Sequence, residues 1–199
     1  QWNLQKFYVF VKLGSKLSYH LYNFSFPIIY TIFLFLSSIQ FFYGHMILLI
    51  ISFVPSLIRA CQMWFQDTPL WLEVIVGLAR VLLFLVIISI MFNHALSELR
   101  QKKCWEKIAQ TCSLQFEKNW PYGFISQIFA FIILLYGLGN LLIVLFSSLV
   151  ISALEWSGIN ITNPTALYNA WIYFLKNMNV IPLAIVFILK MCGMRATNS

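Results

Sequence analysis

The sequence predicts an all-α integral membrane protein with four spans, and three observations carry that expectation. Apolar residues make up 61% of the chain and charged residues only 10%, against about 45–50% and about 25% in soluble globular domains. Mean hydropathy is +0.82. Third, most of the lysines and arginines stand beside the apolar stretches instead of inside them. A soluble domain of 199 residues leaves too many positions facing water to hide that much apolar surface. Lipid as the solvent removes the conflict. The 19 Phe, nine Tyr and seven Trp also suit the headgroup boundary, where amphipathic rings settle.

A hydrocarbon core of about 30 Å takes about 20 apolar helical residues. Four stretches meet this, near residues 26–43, 70–93, 122–153 and 166–192. A further apolar stretch, residues 46–58, is short. It reads as an interfacial segment or as the projecting end of one long first helix. A short fifth span is the third option, and loop charge decides against it. With four spans, one side of the membrane receives Lys6, Lys12 and Lys16, then Arg100, Lys102, Lys103, Lys107 and Lys118, then Lys190 and Arg195, leaving Arg59 alone on the other. Five spans would split the two largest clusters, against the excess of Lys and Arg expected on the cytoplasmic side. Both termini and the basic loop at 95–119 are therefore expected in the cytoplasm.

Local chemistry supports these limits. Asn119-Trp120-Pro121, Asp67-Thr68-Pro69 and Asn163-Pro164 each place a capping residue shortly before a proline, the pattern that opens a helix. Residues 1–24 mix Lys with Phe, Tyr, Val and Leu and read as an amphipathic interfacial segment. They lack the ordered regions of a cleavable signal peptide. Residues 25–193 form the transmembrane domain and 194–199 a cytoplasmic tail. Within the basic loop, Leu96, Leu99, Trp105, Ile108 and Cys112 fall on one helical side, and Glu98 precedes Lys102 by four, the favourable order for a helical ion pair.

Several residues inside the spans are candidates for function. Arg80 lies about 15 Å into its span, near the midplane. Cations at that depth usually face a bundle interior or a water-filled cavity. Glu73 lies on a similar face, and Lys176 in the last span is its candidate partner. The last span is weakened by Asn169, Asn177 and Asn179 and by Pro182, which removes a backbone donor. Asn140, with Gly137 and Gly139 beside it, permits close helix contact and one interhelical hydrogen bond. These groups either fix an assembly, between helices or between copies, or line an ion path. Arg100, Lys102, Lys103, Lys107 and Lys118 are expected to meet a cytoplasmic partner or anionic lipid, with no direct contact to nucleic acid.

Enzymatic chemistry has no visible seat. His20, His45 and His94 lie near different boundaries, and no HExxH, P-loop, nucleophile elbow or GxGxxG is present. Cys104 and Cys112 match no zinc spacing. Cys61 is expected on the opposite side from Cys104, Cys112 and Cys192, so a disulfide framework is not expected. A non-enzyme without metal or cofactor is the resulting expectation.

The opening "WNLQKFYVFVKLGSKLSYHLY", followed by "FPIIYTIFLFLSS", together with the four-span plan and basic inner loop, resembles the KwaA family, membrane subunits of the bacterial Kiwa anti-phage system. The resemblance covers the general plan of the chain. It implies a homo-oligomeric sensor of the inner membrane, a tetramer being one candidate assembly. It also implies a soluble DNA-binding effector of the KwaB kind as partner. The leading expectation is thus a sensor and scaffold subunit. The alternative is a small oligomeric channel or transporter subunit with Arg80, Glu73 and Lys176 lining the path.

Overall fold

The computed structural model describes residues 29–65, 68–158 and 162–194. The interfacial segment expected at 1–24 and the tail at 195–199 lie outside the described residues. Six helices account for nearly all of the rest: α1 (Ile29–Gly44), α2 (Met46–Phe65), α3 (Trp71–Phe92), α4 (Lys102–Asn119), α5 (Tyr122–Trp156) and α6 (Pro164–Met191). The helices α2, α3, α5 and α6 are long and apolar enough to cross a membrane. The fold is that of an all-α, four-helix membrane protein.

The limits of the first crossing differ from the expectation. The segment at 46–58 is the start of a 20-residue helix, itself long and apolar enough to cross a membrane, whereas α1 is the shorter apolar one. The reason lies in Arg59. A hydropathy window stops at that charge, but in the fold its guanidinium is neutralised by Glu73 of α3, 2.5 and 2.6 Å away, so the helix continues to Phe65. Pro55 lies within α2, and Ser52 and Ser56 donate to the carbonyls of Leu48 and Ser52.

Contacts along α6 show how α1 and α2 run. Phe35 meets Phe187, Tyr43 donates to Asn179 Oδ1 at 2.6 Å, and Phe53 meets Phe174. As numbers rise through α1 and α2, they fall along α6. Both helices therefore advance in one direction and make one broken passage, with the break at His45, whose Nδ1 lies 2.7 Å from the Phe41 carbonyl. End to end, 37 residues would measure about 55 Å, well beyond the about 30 Å hydrocarbon core. In place of one long first helix there are two, broken at His45. Four passages remain, in the order α1–α2, α3, α5, α6.

The remaining pairs are antiparallel in turn. Glu73 at the start of α3 meets Arg59 near the end of α2. Phe131 of α5 stacks on Phe187 of α6, and Gly139 faces Val180. The buried core collects Phe41, Phe42, Leu83, Ile87, Met91, Leu183 and Val186 toward one end, where Leu99 and Ile108 close it from below. That end carries α4 and the C-terminal turn, and we refer to it as the basic end. The turns joining α2 to α3 and α5 to α6 lie at the far end.

Helix ends follow the chain's chemistry only in part. Asn163 accepts from the Ala166 amide at 3.0 Å, with Pro164 in the first turn, as expected. Asn119 does not cap α5. It is the last residue of α4, because α4 runs on to it and α5 begins at Tyr122 after Pro121. Two π-helical segments interrupt the long helices, Phe131–Leu138 in α5 and Lys176–Val180 in α6. The second precedes Pro182, whose missing donor such a register change accommodates.

The C-terminal turn of α6 is a Schellman motif: Gly193 donates to the Lys190 carbonyl and Met194 to that of Leu189, at 3.0 and 3.1 Å. Gly193 has φ +83, and a Cβ added there would lie 3.1 Å from Gln115 Cβ of α4. Both the left-handed backbone and the contact oppose a side chain. Gly193→Ala should cost about 1–2 kcal/mol. It should loosen α4 first, seen as faster amide exchange at residues 102–119 than in the spans.

Candidate functional site

Two constellations hold the predicted residues. The first lies between α2, α3 and α6 toward the far end. Arg59 engages both carboxylate oxygens of Glu73, and Gln62 donates to the same carboxylate at 3.2 Å. The partner of Glu73 is therefore Arg59, not Lys176 as the sequence suggested. Position along the helices explains this: Glu73 opens α3 opposite the end of α2, while Lys176 sits twelve residues into α6. Arg80 reaches from α3 to α6, donating from Nη2 to Asn177 Oδ1 at 2.6 Å. Its Nε is buried without an acceptor among the described residues. Asn177, itself buried, donates in turn to the Tyr173 carbonyl.

The charge balance is uneven. Arg59 and Glu73 cancel, whereas Arg80 faces a neutral amide and half-buried Lys176 has no acidic partner among the described residues. A cation at the centre of a span costs about 2.5–3.5 kcal/mol on insertion scales. Asn177 offsets part of that cost for Arg80. Pro182 is buried directly after the π-helical segment of α6. Asn140 turns inward on its own helix, donating to the Tyr136 carbonyl at 2.6 Å, and the interhelical bond expected of it does not form among the described residues. Of the two glycines, Gly139 approaches Val180 of α6, while Gly137 lies against the Ile132 carbonyl of its own helix.

The second constellation is α4 at the basic end. Leu99 and Ile108 insert into the core, and the Trp105 indole donates to the Leu99 carbonyl at 2.7 Å. Leu96 and Trp105 of the expected apolar side remain exposed. Arg100, Lys102, Lys103, Lys107 and Lys118 are all exposed. The expected Glu98–Lys102 pair is absent, because the extended Gln101 separates a short 3-10 turn from α4 and breaks the four-residue spacing. Glu98 pairs with His94 at 2.7 Å and Lys102 approaches Glu106 at 3.5 Å. That leaves Lys103 and Lys107, one turn apart on α4, without acidic partners among the described residues.

Arg59, Gln62 and Asn177 are the functional-site residues that sequence reasoning passed over or assigned elsewhere. By sequence alone Arg59 reads as an outer-loop charge and Asn177 as one polar residue among several. Nothing in one-dimensional spacing pairs residue 80 with residue 177.

At the basic end, Cys112 and Cys192 face each other and are reduced. Burial pushes the Cys192 thiol up to about 11, and the adjacent Cys112 adds to the shift. An ordinary thiol ionises near about 8.5. The unfolded chain thus loses this proton first, and stability falls as pH rises from the ordinary thiol range toward 11. Accordingly, iodoacetamide should alkylate Cys192 in the folded protein slowly until pH nears about 11, read by mass spectrometry of the labelled peptide.

No cluster of three or more His, Cys, Asp or Glu side chains suited to a metal occurs among the described residues. No family model, curated protein or solved structure matches the chain.

Proposed function

We propose that this chain is a non-enzymatic sensor and scaffold subunit of the bacterial inner membrane. Copies of it associate through their spans, and the exposed face of α4 recruits a soluble cytoplasmic effector. The observation that carries this reading is the pair Lys103 and Lys107, solvent-facing and without acidic partners among the described residues, on a helix anchored to the bundle by Leu99 and Ile108. A basic face on a fixed platform attracts an acidic partner surface and sets its approach. Association between copies is supported by α5, the least buried of the four long helices within one chain. The resemblance to the KwaA family supplies the biological setting: an anti-phage complex with a DNA-binding effector.

The test is a gentle-detergent pull-down from the native cell, repeated with Lys102, Lys103 and Lys107 all changed to Glu. A stoichiometric soluble partner is expected with the wild type. The triple variant should lose it while keeping its helical content and thermal midpoint. Co-purification that survives the triple change would place the docking surface elsewhere.

A second reading, an oligomeric channel or transporter subunit, draws on the uncompensated charge of Arg80 and Lys176. It requires flux from purified wild type in liposomes and its loss in Arg80→Leu with oligomer size unchanged. Wild type without flux would remove it.

A further inference from the structure

Two thiols meet where α4 lies against the C-terminal turn of α6. Gly193 follows Cys192 in the chain, and a Cβ added at Gly193 would lie 3.1 Å from Gln115 Cβ of α4. The Cβ atoms of a disulfide stand about 3.5–4.5 Å apart, so the two backbones already approach more closely here than a bridge requires. Cys112 precedes Gln115 by three residues, which puts both on one face of α4. The Cys192 thiol hydrogen-bonds to the Cys112 sulfur, and both cysteines are free, half-buried and packed against the same core. Ile108 is the residue of α4 that is fully buried; from Cys112 onward the helix holds to the bundle through half-buried side chains alone. No third ligand joins the two sulfurs in a metal-holding cluster among the described residues, whereas structural zinc takes four. The pair is suited to a bond between its own sulfurs.

We propose that Cys112 and Cys192 form a site of reversible oxidation by a peroxide, and that the resulting disulfide latches the C-terminal half of α4 to the end of α6. Burial holds the proton on Cys192, so Cys112, which accepts the hydrogen bond, reacts first. Its thiolate sulfur attacks one peroxide oxygen, and the O–O bond breaks. The other oxygen leaves as hydroxide and takes up the proton that Cys112 gave up, while Cys112 becomes a sulfenic acid. The Cys192 sulfur then attacks that sulfur. The S–S bond forms as the S–O bond breaks, and the departing hydroxide carries off the Cys192 proton as a second water. The two thiols lose two electrons, and the peroxide gains them. Thiol exchange reverses the step. With this end in the cytoplasm, ambient thiols keep the pair reduced and the bridge is transient, as intracellular disulfides usually are. The latch does not depend on what α4 recruits.

The full chain in nanodiscs, reduced and then treated with hydrogen peroxide, tests this by mass spectrometry of a non-reduced digest. A linked Cys112–Cys192 peptide, lighter by two hydrogens than its separate parts, is expected, and dithiothreitol should remove it. Cys192→Ser should leave Cys112 as a sulfenic acid that dimedone traps. Should Cys192→Ser fail to fold, Cys192→Ala gives the same readout. Cys61→Ser and Cys104→Ser should form the bridge as wild type does. Amide exchange at residues 112–119 should slow about tenfold or more on oxidation and recover on reduction, because the bridge ties down a segment that otherwise opens locally. A digest without the linked peptide, at a peroxide dose that oxidises exposed Cys61, would overturn the site. A bridge that forms but leaves exchange at residues 112–119 unchanged would overturn the latch.

Discussion

Phe187→Ala is expected to lower the unfolding free energy by about 2–3 kcal/mol in mixed micelles. The Phe187 ring is buried and contacts Phe35 of α1 and Phe131 of α5, so one side chain joins three helices. In water-soluble cores this change costs about 3–5 kcal/mol, part of it the lost transfer of apolar surface out of water. A lipid solvent is as apolar as the side chain, so that part largely drops out. The cavity and the lost dispersion contacts remain. Phe146→Ala on the exposed side of α5 makes the control and should change stability by no more than about 0.5 kcal/mol. Equal effects at the two positions would mean that α1, α5 and α6 are not joined at Phe187.

The second large effect is expected at Asn177. Replacing it with Leu keeps the volume close and removes the acceptor that Arg80 uses at 2.6 Å. A hydrogen bond to a charged group is worth about 1.5–3 kcal/mol. Arg80 is only part-buried, and polar pairs within membranes average nearer about 0.6 kcal/mol. The expected loss is therefore about 1–2 kcal/mol, in the same refolding assay. Asn140→Leu removes a bond that is local to α5 and should cost less. A double-mutant cycle of Asn177→Leu with Arg80→Leu isolates the pair: coupling near zero would show that the two side chains do not support each other.

Much of the architecture is legible in the sequence, and the reason is the solvent. In a bilayer every backbone polar group must be satisfied internally, so length and hydropathy alone locate helices. The second, third and fourth passages ended within a few residues of the expectation for this reason. The first did not, because Arg59 has the same one-dimensional appearance whether it faces water or a carboxylate. Its pairing with Glu73 is set by the turn between α2 and α3, which no window along one segment contains. The importance of Arg80 was legible from depth. Its acceptor was not, since Asn177, Asn179 and Asn169 look alike until packing turns one of them toward α3. The basic surface shows the same division. Its exposed lysines follow from composition, whereas the break at Gln101 leaves Glu98 to His94 and Lys102 to Glu106.

Four passages put α4 on the opposite side of the membrane from the turn between α5 and α6. Single cysteines at Lys103 and at Ser157, in a background with the four native cysteines replaced by Ser or Ala, test it by labelling with a membrane-impermeant maleimide in cells whose outer membrane is opened. Ser157→Cys should label while the inner membrane is intact, and Lys103→Cys only after it is disrupted. Labelling of both sites from the same side would contradict the four-passage account, and labelling of Lys103→Cys alone would reverse its orientation and remove α4 as a cytoplasmic docking surface.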